Sequence, residues 1–286
     1  MSLSAGEIGV APSRETVGSS PLLWDAGFYL ALFGAALTAA VPMALNAAVL
    51  EWRGAAATTL CYGIVILLVL RGLMRYPHAG RFGLANGITL ARASLTSLLF
   101  GLAGGYALGG SALAGEIRWI AGALAVITLV LDGLDGYAAR RGGTASAFGA
   151  HFDMEADALF ILALSALVMA TAAAGPWILV SGSLRYAFVG FGKLEPRFRA
   201  PLPPLMRRKA IYVVQALAPI AALTPLCPSG LGAALCGLAF ALVLYSFGAD
   251  CVWLWCSARP IGRQASISHW RSLPFMAGRS SASTLR

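Results

Sequence analysis

Charge is scarce in this sequence. Asp, Glu, Lys and Arg together make up 12% of its 286 residues, about half the share usual in soluble domains, and no polar stretch is long enough for a separate soluble domain. Histidine is rarer still, with 3 residues. The five cysteines, Cys61, Cys227, Cys236, Cys251 and Cys256, have no metal-ligand spacing and mostly fall in apolar runs. A zinc site or disulfide framework is therefore disfavoured, and buried free thiols are expected. The opening MSLSAGEIGVAPSRETVGSSPLLWD lacks the basic start and apolar segment of a cleaved signal. Residues 1–25 read as a short disordered tail.

What is present is overwhelmingly apolar. A hydrophobic share of 58% and a mean hydropathy of +0.76 describe an integral membrane protein with one membrane domain. At roughly 20 residues per crossing, the segments 26–50, 54–71, 84–109, 116–138, 151–173, 176–192, 210–227 and 230–256 make eight spans of an all-α polytopic fold. The fourth is unusual, because only residues 119–131 are uncharged before Asp132. It reaches full length only if an acidic segment begins at membrane depth, which is tolerated where that segment lines a water-filled cavity. Between the fifth and sixth spans AAAGP is a very short turn, and Pro176 favours a helix start there.

Basic residues divide sharply between the two faces of such a bundle. With eight crossings both termini share a side, and that side receives 17 of the 21 Lys and Arg, against Arg53 and Arg118 on the other. The excess marks the cytoplasmic face and places both termini and the acidic segment there. Arg92 and Arg185 lie inside spans, where an unpaired cation is costly.

The acidic segment holds Asp132, Asp135, Asp153, Glu155 and Asp157 within residues 132–157. Asp132 and Asp135 are three apart, and Asp153 and Asp157 four apart, so on helices each pair shares a face. Two facing pairs would make a four-carboxylate site whose mutual repulsion calls for cations. Hard, oxygen-preferring Mg²⁺ or Mn²⁺ fits best. No His or Cys is spaced for zinc, although His151 is close by, and Glu155 points away from its neighbours. Gly133, Gly136 and the run RRGGTASAFGA allow close approach of helices and ligand, and Arg140 follows the first pair in position to meet an anion. Carboxylate-bound cations beside an arginine suggest a site for phosphates.

The residues Asp132-x2-Asp135-Gly136-x2-Ala139-Arg140-x8-Gly149-x3-Asp153-x3-Asp157 reproduce, letter for letter, the signature of the CDP-alcohol phosphotransferase family, which this chain therefore resembles. The resemblance implies a six-helix membrane core over about residues 80–256, with two additional helices over 26–71 and a basic tail over 257–286. It implies two divalent cations, Mg²⁺ or Mn²⁺, held by Asp132, Asp135, Asp153 and Asp157, with Asp157 as general base. It also implies a nucleotide site at Gly136, Ala139, Arg140 and Gly149. Upstream, LANGITLAR is similar to the family's P-N-x-L-T-x-x-R pattern, with Ala85 in place of proline, and adds Asn86, Thr89 and Arg92 to that site.

The implied reaction moves a phosphatidyl group from CDP-diacylglycerol to an alcohol, releasing CMP, in phospholipid synthesis at a bacterial inner membrane. Transfer from a soluble CDP-alcohol to diacylglycerol is the alternative. A cation-coupled transporter is the rival class, and the absence of an internal repeat and the gathering of the acids at one edge count against it. Arg185, Arg207, Arg208 and Lys209 are the expected acceptor-binding residues. The other expected partner is membrane lipid; a homodimer is open, with packing or dimer support as a role for the first two spans, and no nucleic acid is expected.

Overall fold

The computed structural model describes residues 21–46, 50–76, 82–109, 115–142, 146–195 and 206–257. They form eight helices: α1 (Pro21–Asn46), α2 (Trp52–Arg75), α3 (Gly83–Gly109), α4 (Gly115–Gly142), α5 (Ala147–Ala170), α6 (Ile178–Leu194), α7 (Met206–Leu223) and α8 (Ser229–Ser257). There is no strand among the described residues. The chain is an all-α polytopic membrane protein. Helices α1, α2, α3, α4 and α8 are long and apolar enough to cross a membrane by length and composition. The other three are shorter or carry charge: α5 holds Asp153, Glu155 and Asp157 near its start, α7 opens on Arg207, Arg208 and Lys209, and α6 has 17 residues including Arg185.

Each apolar segment is one helix, with some displaced ends. Helix α7 begins four residues before the expected 210 and stops at Leu223 rather than 227. Pro225 disfavours helical backbone at the residue before it, and Arg118 of α4 closes the end. Its guanidinium donates to the carbonyls of Leu223 (3.0 Å), Ala222 (3.2 Å) and Thr224 (3.0 Å). These are groups that a helix terminus leaves without partners, at its negative pole. The α5–α6 connection is short, as expected, and places Ala172 at φ 55°.

Six helices close a ring in which α3 meets α4, α4 meets α7, α7 meets α8, α8 meets α6, α6 meets α5, and α5 returns to α3; α5 also touches α7 across the middle. Helix α2 lies outside against α3 and α5, and α1 against α2 and α3. Leu164, Leu167 and Val168 of α5 are fully buried, whereas Leu60, Leu67 and Met74 of α2 are exposed, as lipid-facing positions should be. All five cysteines are free. Cys61 and Cys236 are buried as expected, but Cys256 is exposed on the α8 flank that also exposes Trp255.

Glycine sets the α2–α3 distance. A Cβ on Gly101 would collide with Thr58 Oγ1 and lie 2.9 Å from the Gly54 carbonyl oxygen. Thr58 is buried and bonded to that same carbonyl at 3.0 Å, so it has nowhere to go. Gly101→Ala should therefore cost about 1–3 kcal/mol by overpacking, measured as a lowered apparent melting temperature of the detergent-solubilised protein.

Candidate active site: an acidic cluster around a buried arginine

Helix α3 enters through Gly83 at φ 79°, a left-handed conformation that glycine adopts without strain. Asn86, Thr89 and Arg92 then follow at intervals of three along α3. The first two satisfy themselves locally, Asn86 Nδ2 donating to the Phe82 carbonyl (2.6 Å) and Thr89 Oγ1 to that of Ala85 (3.1 Å). The start of α5 is fixed beside them. Ser146 caps it by accepting from the Gly149 amide at 2.9 Å, and a Cβ on Gly149 would lie 2.8 Å from Asn86 Oδ1. A side chain there would force the two helix starts apart.

Arg92, 1% exposed, is the centre of the site. It meets Asp132 of α4 at 2.7 Å, and Asp153 and Asp157 of α5 at 2.8 and 2.6 Å. One oxygen from each of the three acids lies within 4.8 Å of the others. The carboxylates stay partly open, at 25%, 42% and 26% exposure. Asp135, Ala139 and Arg140 lie on the α4 backbone, but their side chains fall outside the described residues, and Gly136 sits one turn after Asp132. Three of the four expected carboxylates are thus brought together. Arg92, expected beside the nucleotide, is in direct contact with the acids.

This donor set fits a hard divalent cation. It offers only carboxylate oxygens and is reachable from outside. With Arg92 counted, its three described acids retain a double negative charge, which is costly in a membrane bundle unless cations balance it.

Tyr212 of α7 was not legible as part of the site. Its hydroxyl donates to Asp157 Oδ1 at 3.0 Å, the oxygen that Arg92 also engages. Both donors therefore use Oδ1, and among the described residues Oδ2 of Asp157 receives no hydrogen bond. Beside it a cavity of about 380 Å³ opens between α5, α6, α7 and α8, with Asp157, Tyr212, Arg185, Arg208, Gln215 and Asp250 among its walls. Arg185 reaches Glu155 at 2.8 Å. Arg207 and Arg208 share Asp250 at 2.6 and 2.9 Å. Arg185 and Arg208 thus line the cavity, Arg207 joins them through Asp250, and Lys209 is exposed on α7. Glu155 faces away from the cluster, as its spacing implied, and His151 rests against Tyr76, with ring centroids 5.2 Å apart.

A family model described as CDP-alcohol phosphatidyltransferase matches residues 82–253, a range that takes in all of the six-helix ring except the last residues of α8. The chain belongs to this family. No curated protein and no solved structure is detectably similar to it. CDP-alcohol phosphatidyltransferases are membrane phosphotransferases of phospholipid synthesis that use a CDP-alcohol and an alcohol acceptor and generally depend on divalent metal. Helices α1 and α2 precede the matched region.

Proposed function

We infer that the protein transfers a phosphatidyl group from CDP-diacylglycerol to an alcohol acceptor, releasing CMP, at the cytoplasmic face of a bacterial inner membrane. The observation that carries this reading is the meeting of Asp132, Asp153 and Asp157 within the matched ring, with Asp157 also in the wall of the adjoining cavity. The excess of Lys and Arg on one face supports the orientation. Asp132, Asp135, Asp153 and Asp157 would hold divalent cations, which supply charge neutralisation for the pyrophosphate and the departing phosphate.

The protein's own groups account for the remaining steps. The acceptor approaches through the α5–α8 cavity past Arg185, Arg207, Arg208 and Lys209. Its hydroxyl gives its proton to Asp157 Oδ2, the oxygen with no hydrogen bond from a described residue, as the new O–P bond forms and the bond to CMP breaks. Tyr212 and Arg92 hold Oδ1 and so fix which oxygen is presented. Gly136, Ala139, Arg140, Gly149, Asn86 and Thr89 form the nucleotide side, where Gly149 and Asn86 already pack closely.

The test is CMP release by the purified protein in lipid, with CDP-diacylglycerol and Mg²⁺ or Mn²⁺, across glycerol phosphate, inositol phosphate, serine, inositol and choline. Release with one acceptor supports the reading. Silence with all of them, but release from a soluble CDP-alcohol with diacylglycerol, reverses the direction of lipid use, and silence in both assays defeats the transferase reading. Tyr212→Phe should lower kcat about 10- to 100-fold, the rate equivalent of a roughly 1.5–3 kcal/mol hydrogen bond to a charged group. The KM for the CDP donor should not move in the same kinetics.

A further inference from the structure

Each guanidinium group around the α5–α8 cavity faces a carboxylate, so most of its charge is balanced, although Arg208 Nη2 has no hydrogen-bond partner among the described residues. Arg185 is held by Glu155, whose side chain is 13% exposed. Asp250, 9% exposed, is divided between two arginines, its Oδ1 taken by Arg207 Nη2 and its Oδ2 by Arg208 Nε. Among the described residues these five side chains sum to a single positive charge. That charge sits on α7 and α8, and Asp157 of the acidic cluster is in the α5 wall of the same cavity.

A phosphate monoester carries about −1.5 to −2 at neutral pH. To enter, it would have to give up water for arginines whose charge is largely cancelled by Glu155 and Asp250. Desolvating an anion without free cations to receive it is costly.

Hydroxyl groups meet a better-matched wall. Gln215 Nε2 donates to the Ser181 carbonyl at 3.2 Å and to Ser181 Oγ at 3.1 Å. The contact with a carbonyl, which can only accept, fixes the amide orientation. Gln215 Oε1 then has no partner among the described residues, and both Gln215 and Ser181 line the cavity. An amide oxygen of this kind accepts from an O–H, and its unmet demand penalises ligands that lack one.

We propose that the acceptor is a polar alcohol carrying no phosphate, recognised by Gln215 and Ser181 and selected against its phosphorylated counterpart by Glu155 and Asp250. The proposal rests on the transferase reading above. Glu155 and Asp250 act as specificity-determining positioning residues, through the arginines they hold.

The experiment compares matched pairs in CMP release with CDP-diacylglycerol and Mg²⁺: glycerol with glycerol phosphate, inositol with inositol phosphate, and serine with phosphoserine. For the best acceptor, the unphosphorylated member should have a kcat/KM about 10-fold or more above its partner. A preference for the phosphorylated member overturns the acceptor assignment while the transferase reading stands. Release from no member of any pair, and none from a soluble CDP-alcohol with diacylglycerol, defeats that reading itself; release in the second assay alone overturns the acceptor assignment. In Glu155→Gln and Asp250→Asn, each of which frees arginine charge, the phosphorylated-to-unphosphorylated ratio should rise by about 10-fold. An unchanged ratio in both overturns the selection by these carboxylates. The wild-type comparison decides the acceptor class even where a variant does not fold.

Discussion

Arg92→Met is expected to lower the stability of the protein by about 3–5 kcal/mol, the usual cost of removing one partner from a buried ion cluster. Methionine keeps much of the side chain's volume, so the loss reads charge more than packing. What remains is Asp132, Asp153 and Asp157, with one oxygen from each within 4.8 Å of the others and no guanidinium between them. The apparent melting temperature should fall by on the order of 10 °C. Millimolar Mg²⁺ or Mn²⁺ should then raise it more in the variant than in the wild type, because the cation takes over the neutralising role of Arg92. Thermal unfolding with EDTA or added metal measures both effects. A metal response no larger than that of the wild type would count against these carboxylates as cation ligands.

The parts of this site that were legible in sequence depend on local periodicity. Asp153 and Asp157 share a face because they are four apart on one helix, and Glu155 departs from that face because it is two from each. Gly149 could be marked as a place of close approach, although its neighbour Asn86 could not be named from spacing. The groups that were missed act across the bundle. Tyr212 reaches Asp157 over 55 residues, Arg118 caps α7 over more than 100, and Asp250 pairs with Arg207 over 43. No spacing on one helix encodes such pairs, since they exist only once the ring closes. Arg92 lies between these cases. Its cost inside a span marked it as functional, but only the packing of α3 against α4 and α5 turns it toward three acids at once. The closing of the α7 end has the same origin, in an arginine supplied by another helix, although Pro225 was a local signal for the stop itself.

Asp157→Asn should lower kcat about 10³-fold or more, to a small residual turnover. Loss of a general base alone accounts for roughly 10²- to 10⁴-fold, and weakened cation binding adds to it. The change is nearly isosteric. The amide oxygen can keep the place of Oδ1 beside Arg92 and Tyr212, while the open position of Oδ2 becomes an NH2, which donates where the acceptor hydroxyl needs an acceptor. Arg92 retains Asp132 and Asp153, so folding should suffer far less than in Arg92→Met. A kcat within 10-fold of wild type would remove Asp157 from the role of base. The double variant separates that role from a purely structural one. If Tyr212 acts by holding Asp157, Tyr212→Phe loses its effect once Asp157 is asparagine, because residues that work as one unit are not additive. Equal Tyr212→Phe effects on kcat in both backgrounds would instead assign the phenol to the cavity wall, acting on the acceptor directly.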